Sequence, residues 1–235
     1  MRQTRALMIF AAGFGTRMGA LTATQPKPMI PVAGRPLIDH ALDLAAAAEA
    51  GPIVINLHYL GDQLAAHLAD RPVLLSWERE KILETGGGLR HALPLLGPGA
   101  VATLNSDAVW TGENPLRQLD DAWDEGRMDA LLLLAPVAMA TGHGARPDFS
   151  MDGAGRLSRH ARTGGAGFVY LGAQIIKTEG LGEIPDDAFS LNLLWDRMSA
   201  AGRLHGLIHR GGWCDVGQPE TIAQAERLLS GAADV

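Results

Sequence analysis

The segment Ala6-Leu-Met-Ile-Phe-Ala11, running straight into Ala12-Gly-Phe-Gly15, limits this chain more than any other stretch. An unbroken apolar run with no polar face predicts a strand covered on both sides, the environment of a central strand in a parallel sheet. Parallel strands need crossover connections, and the sequence supplies them. Residues 36–50 read as an alanine- and leucine-rich helix stopped by Gly51-Pro52, residues 53–57 as a second buried strand, 60–69 as a helix and 73–77 as a strand. A helix opening near Gly87 and a strand over 100–105 extend the rhythm. The expected fold is α/β: a Rossmann-like, mostly parallel central sheet with helices on both faces.

After Asp107 the spacing predicts a helix over 115–125, a strand over 129–136, a hairpin from 148–151 and 155–158, and a strong strand over 167–176. A helix over 191–202, a strand over 204–208, a turn-rich 210–219 and a helix over 220–229 complete the chain. With 235 residues and no internal repeat, one domain over 1–235 is expected.

Charge and cysteine usage narrow the partners. The formal net charge of −6 argues against nucleic acid, so a phosphate ligand must be held by local features. One cysteine, Cys214, excludes an intrachain disulfide and a multi-cysteine zinc site and fits the reducing cytoplasm. No stretch reaches the ~20 apolar residues that cross a bilayer, so no membrane partner is expected.

The loop after the first strand carries the chemistry. In Ala11-Ala-Gly-Phe-Gly-Thr-Arg17 the glycines can bring backbone N–H groups to a polyphosphate at the carboxyl edge of the sheet, with Ala11, Ala12, Gly13, Gly15 and Thr16 as the cradle. It lacks the Gly-Lys-Ser/Thr of a Walker loop and the third glycine of a dinucleotide fingerprint. Downstream, Gln25-Pro-Lys-Pro-Met-Ile-Pro-Val holds Lys27 between two prolines, which presents an ammonium from a stiff loop. Arg17 and Lys27 can both face a triphosphate. Asp107 follows the strand over 100–105, at the sheet edge where such ligands bind. On the acceptor side, the segment from Thr163 to Gly172, with Ser190 and Asn192, offers amides, a hydroxyl and a side-chain amide suited to sugar hydroxyls.

The loop Ala11-Ala-Gly-Phe-Gly-Thr-Arg-Met18 with Pro26-Lys-Pro-Met-Ile-Pro-Val-Ala-Gly-Arg-Pro-Leu37 resembles the signature of the sugar-1-phosphate nucleotidyltransferases, a likeness that extends through Asp215. In length, in Leu83-Glu-Thr-Gly-Gly-Gly88 and in Trp213-Cys-Asp-Val-Gly217 it is similar to the bacterial N-acetylmuramate 1-phosphate uridylyltransferase subgroup of cell-wall recycling. The resemblance implies a nucleotidyltransferase fold of the GT-A-like type, with about 1–110 as its nucleotide-binding half and about 111–235 as its sugar-phosphate-binding half, and transfer of a nucleoside monophosphate from an NTP, UTP in the subgroup, to a sugar 1-phosphate. It implies Arg17 and Lys27 as catalytic cations and Ala12, Gly13, Glu84, Thr85 and Gly86 around the base. It further implies Asp107 and Asp215 as Mg²⁺ ligands, and Asn105 and Gly172 beside the acceptor. Glycines 86–88 read as room for a base or ribose at a helix start.

Three positions depart from the family pattern: Ser106 for the glycine before the metal aspartate, Gln218 for a threonine, and Gly19-Ala20 for a residue-proline pair. Other bases or acceptors, among them mannose 1-phosphate, glucose 1-phosphate and phosphocholine, stay open, as does a non-catalytic nucleotide-sensing subunit. An NAD-dependent dehydrogenase fits the rhythm but not Gly13-Phe-Gly15 or Pro26-Lys-Pro28. The absence of a C-terminal β-helical repeat argues against a built-in acyltransferase, leaving a monomer or small homo-oligomer.

Overall fold

A computed structural model describes residues 4–144, 146–159 and 167–233. Its strands are β1 (Leu7–Phe10), β2 (Pro31–Val32), β3 (Arg35–Pro36), β4 (Ile53–Leu57), β5 (Leu74–Trp77), β6 (Val101–Asn105), β7 (Ala108–Trp110), β8 (Ala130–Pro136), β9 (Phe149–Met151), β10 (Leu157–Arg159), β11 (Gly167–Ile176), β12 (Leu204–Ile208) and β13 (Trp213–Asp215). The α-helices are α1 (Leu37–Ala47), α2 (Gly61–His67), α3 (Glu84–Leu96), α4 (Pro115–Ala122), α5 (Asn192–Ala200) and α6 (Pro219–Ala233).

The main sheet runs β5-β4-β1-β6-β11-β8-β12, and the β9–β10 hairpin joins β11 at its leading end. β5, β4, β1 and β6 are parallel, as are β8 and β12, and β11 alone is inserted antiparallel between the two groups. The sheet is therefore mostly parallel, with β1 at the position its apolar run demands: Leu7, Met8 and Ile9 are fully buried. One face packs against α1, α2 and α4 through Ile38, Leu64 and Leu119, and the other against α3 and α5 through Leu89, Ala92 and Leu194. Helices cover both faces.

Strand order reverses between β1 and β6, and the loops leaving the carboxyl ends of those strands diverge there. Such a crevice is where open α/β sheets bind ligands. A separate two-stranded ribbon, β7 with β13, closes over it, with Trp213, Cys214 and Asp215 opposite Trp110, Val109 and Ala108. Residues 210–219, which read as turns, thus contain a strand. β13 is short and finds its partner about a hundred residues away, beyond the reach of local patterning.

The glycines at the start of α3 serve the packing of the fold. A Cβ on Gly86 would run into the ring of Phe189, and one on Gly87 into the carbonyl oxygen of Asp187. Phe189 O also accepts the N–H groups of Gly86 (2.8 Å) and Gly87 (3.1 Å). The space is filled by the protein's own 187–189 segment, which locks the start of α3 to the chain leading into α5.

Candidate active site at the carboxyl edge of the sheet

One cavity lies at the strand-order reversal and another on the β11 side of the sheet. The smaller, about 200 Å³, lies beneath the loop after β1, with Ala11, Ala12, Gly13, Lys27, Glu84 and Thr85 in its wall. A relay of hydrogen bonds fixes its floor. Asn56 Oδ1 accepts the Ala11 N–H at 2.7 Å, and Asn56 Nδ2 donates to Glu78 Oε1 at 2.7 Å. Glu78 Oε2 accepts the Leu83 N–H at 2.7 Å. Asn56 and Glu78 are both buried, so the loop after β1, strand β4 and the β5–α3 connection are tied together by polar atoms. Sequence reasoning missed both residues. The available signal is an asparagine inside the otherwise apolar strand β4 and a glutamate directly after β5.

Gly15, Thr16, Arg17 and Gly86 are not in that wall. Gly15 has φ +65°, and a Cβ there would lie 2.9 Å from the Cβ of Lys27, so the loop turns tightly over the lysine stem. The Gly86 N–H is already committed to Phe189. Glu84, at φ +59°, is a non-glycine residue held in the left-handed region at the cavity wall, a strain the surrounding packing must sustain.

Lys27, in the short turn after Pro26, is buried, and its Nζ meets Asp107 Oδ2 at 2.7 Å. Asp107 sits in the turn between β6 and β7, two residues past the strand's end, and its carbonyl accepts the Val216 N–H at 2.8 Å. That bond and the β7–β13 pairing bring Asp215 to the same edge. The Asp215 carboxyl is pushed up to about 6, first by burial and then by the charge of Asp107, while Lys27, Arg17 and His143 act in the opposite direction. Arg17 is exposed and close: a Cβ on Gly217 would touch both Asp215 Oδ2 and the guanidinium of Arg17, at 2.6 and 3.1 Å. The structure thus gathers Arg17, Lys27, Asp107 and Asp215, two cations and two carboxylates, from four separate segments.

The larger cavity, about 690 Å³, opens on the β11 side, with Tyr170, Trp195, Phe149, Arg159, Arg146 and Asn192 in its wall. Asn105 lines the smaller cavity and abuts Gly172, where a Cβ would lie 2.8 Å from Asn105 Nδ2 and where φ is +84°. The register of β11 against β8 breaks at this point, between Tyr170 and Gln174, so the glycine is the pivot of a bulge. Ser190 is not in the cavity wall; its Oγ accepts the Asn192 N–H at 3.2 Å at the start of α5. Residues 160–166, which include Gly164 and Gly165 of the Thr163–Gly172 segment, lie outside the described residues.

Similarity to known proteins agrees with this arrangement. The family model for the MobA-like NTP transferase domain matches residues 7–149. The N-acetylmuramate alpha-1-phosphate uridylyltransferase of Caulobacter vibrioides is 41% identical over 237 residues, covering 96% of this chain and 97% of that protein. Its namesake in Neisseria meningitidis serogroup B is 43% identical over 107 residues, 43% of this chain and 46% of that one. Among solved structures, HddC from Yersinia pseudotuberculosis complexed with GMP-PN matches with TM-score 0.75 at 20% identity, over 95% of this chain and 99% of that one. The inositol-1-phosphate CTP transferase of T. maritima matches with TM-score 0.77 at 12% identity, over 98% and 97%. These structures share the fold, a GT-A-like nucleotidyltransferase architecture. With a family model spanning more than half its length and a relative 41% identical from end to end, this chain belongs to the MobA-like NTP transferase family, as a sugar-1-phosphate nucleotidyltransferase.

Proposed function

We propose that the chain transfers UMP from UTP to N-acetylmuramate 1-phosphate, releasing pyrophosphate, in the cytoplasm. The observation that carries this reading is the grouping of Asp107 and Asp215 with Lys27 and Arg17 at the cavity beneath the loop after β1. The choice of uridylyl donor and muramate acceptor rests on the Caulobacter relative.

The carboxylate pair fits a divalent cation. Asp107 and Asp215 offer hard oxygen donors, and two carboxylates this close repel one another unless a cation lies between them. Asp107 and Asp215 would hold Mg²⁺, which when bound supplies charge neutralisation at the phosphates. The remaining work belongs to the chain. Lys27 and Arg17 offset the charge that builds on the α-phosphate as the acceptor's phosphate oxygen forms its bond to the α-phosphorus and the bond to pyrophosphate breaks. A phosphate monoester is already nucleophilic at neutral pH, so no side chain has to remove a proton or form a covalent intermediate. Ala12, Gly13, Glu84 and Thr85 line the space for the nucleoside, and Gly172 with Asn105 and Asn192 borders the acceptor.

Pyrophosphate release from UTP, dTTP, GTP, CTP and ATP, each paired with several sugar 1-phosphates, tests the proposal. Release with UTP and N-acetylmuramate 1-phosphate that stops with chelator supports it. Nucleotide binding without release under any pairing would reject catalysis in favour of a sensing role. Release with another pair would keep the reaction class and reassign the substrates.

A further inference from the structure

The start of α5 takes its cap from the start of α3. The first N–H groups of a helix have no partner inside it, and a side-chain oxygen just ahead of the helix normally accepts one of them. At α5 that position is Leu191, which has no oxygen to offer. The Asn192 N–H is met locally, by Ser190 Oγ. The Leu191 N–H is met from 106 residues away, by Thr85 Oγ1 at 3.0 Å. Leu191 passes the contact on, since its carbonyl accepts the N–H groups of Leu194 and Trp195, each at 3.0 Å. Trp195 and Asn192 stand in the wall of the larger cavity, and the indole N–H of Trp195 donates to Gln174 Oε1 at 2.9 Å. Thr85 itself, in the first turn of α3, stands in the wall of the smaller cavity.

Backbone bonds hold the two segments side by side: the Phe189 N–H donates to Leu83 O at 3.1 Å, and Phe189 O accepts from Gly86 and Gly87. The Thr85 bond differs from these because it starts on a side chain of the cavity wall. Its neighbour Glu84, at φ +59°, keeps this turn of the wall under strain before anything binds. A hydroxyl can accept and donate at once, and the Thr85 hydroxyl accepts from Leu191 while its own proton has no acceptor among the described residues. A ligand oxygen that takes this proton makes the hydroxyl a stronger acceptor and tightens its hold on Leu191. We infer that Thr85 is a positioning residue through which a nucleotide in the smaller cavity firms the start of α5, and with it the Trp195 and Asn192 part of the other cavity's wall. Such coupling is reciprocal, so a ligand that firms the same wall tightens nucleotide binding by the same factor. The inference rests on the proposed function only in taking the smaller cavity as the nucleotide site.

Amide hydrogen exchange over residues 187–195, followed by mass spectrometry, tests this in the wild type, Thr85→Val and Thr85→Ser. Each protein is measured without ligand and again when saturated with Mg²⁺ and a non-hydrolysable UTP analogue. Saturation, checked by calorimetry, keeps a loss of affinity from being read as a loss of coupling. In the wild type the analogue is expected to slow exchange of this segment by about 10-fold, the scale of an ordinary coupling between two sites. Thr85→Val keeps the shape and removes the oxygen, so the slowing is expected to shrink to less than about 2-fold, while Thr85→Ser restores the oxygen and the effect. A purely structural threonine would give faster exchange in Thr85→Val with and without the analogue alike, leaving the ratio at its wild-type value, and that result overturns the inference. A wild type whose segment exchanges equally in both conditions overturns it as well, whatever the variants do, and so does a serine variant that behaves like the valine one. A wild type that does not bind the UTP analogue is instead a failure of the proposed donor, and the same ratio is then read with the analogue of the triphosphate that gives pyrophosphate release.

Discussion

The ammonium of Lys27 stands 2.7 Å from Oδ2 of Asp107, a contact that joins residues eighty positions apart and makes one unit of the proline-flanked loop and the turn after β6. Both side chains face the carboxyl edge of the sheet, where the aspartate is also proposed to hold metal. Lys27 therefore has two partners available, the carboxylate at rest and the α-phosphate in the reaction. Its replacement removes a preorganised positive charge, so Lys27→Met is expected to lower kcat by about 100- to 1,000-fold, the usual cost of deleting one electrostatic stabiliser. Steady-state pyrophosphate release measures this, and a variant that keeps full kcat refutes the catalytic role of the lysine.

Asn56 is a second point where one side chain organises several loops. It accepts from the Ala11 N–H and donates to Glu78, and all of these atoms are buried or partly buried. Asn56→Leu leaves a backbone donor and a buried carboxylate each short of a partner. Stability is expected to fall by about 2–4 kcal/mol, the sum of two desolvation penalties, with weaker UTP binding because the loop after β1 loses its anchor. Urea denaturation and nucleotide titration read the two effects separately.

What the sequence discloses and what it hides follow from the range of the interactions. Ile53–Leu57 and Gly167–Ile176 have the bounds expected for them because strands inside the sheet read as largely apolar runs, and Leu204–Ile208, at the sheet's edge, is delimited by the glycine turns on either side of it. β7 and β13 are three residues each and define each other only through pairing, so no local pattern announces them. The same limit applies to the site. That Arg17 and Lys27 are close to Asp215 depends on the β7–β13 ribbon, which composition and spacing do not contain. Glu78 was hidden for a further reason: a lone glutamate after a strand ordinarily marks solvent, and only the fold turns this one inward against Asn56.

Gly86 has a packing role that its sequence does not announce. Where its Cβ would point, the ring of Phe189 fills the space. Gly86→Ala places a methyl group against both the ring and the carbonyl of Phe189, whose oxygen would be 2.9 Å away. The start of α3 and the chain entering α5 must then separate, and the expected cost is about 1–3 kcal/mol of stability from overpacking. Differential melting of the variant checks this. Unchanged stability combined with loss of UTP binding would return the glycine to a ligand-facing role.

His209 gives a pH dependence whose sign follows from its hydrogen bonds. Gln118 Oε1 accepts the Arg210 N–H at 2.9 Å, which fixes the amide so that Gln118 Nε2 faces His209 Nδ1 at 2.9 Å. Nδ1 must therefore be an acceptor, a role the imidazolium cannot play. Burial, above all, holds the His209 pKa below its ordinary value, outweighing the nearby Gly212 and Thr111 backbone and Glu113. In the unfolded chain the imidazole titrates near 6.5, so between that value and the lower folded one the unfolded state binds more protons. The stability from neutral His209 is complete above about pH 6.5 and is lost as pH falls through the folded pKa. His209→Gln keeps a side chain that can accept from Gln118 but cannot titrate. The difference in unfolding free energy between wild type and variant is expected to shift against the wild type as pH is lowered from about 7.5 to 5, because the variant has no imidazole to protonate. Measuring the difference cancels the opposite trend of Asp215, whose raised pKa favours the folded state on acidification. A difference that stays constant with pH would mean that His209 binds its proton equally well in the folded and unfolded chain, and one that shifts in favour of the wild type would mean that Gln118 points the other way and the imidazole is charged in the fold.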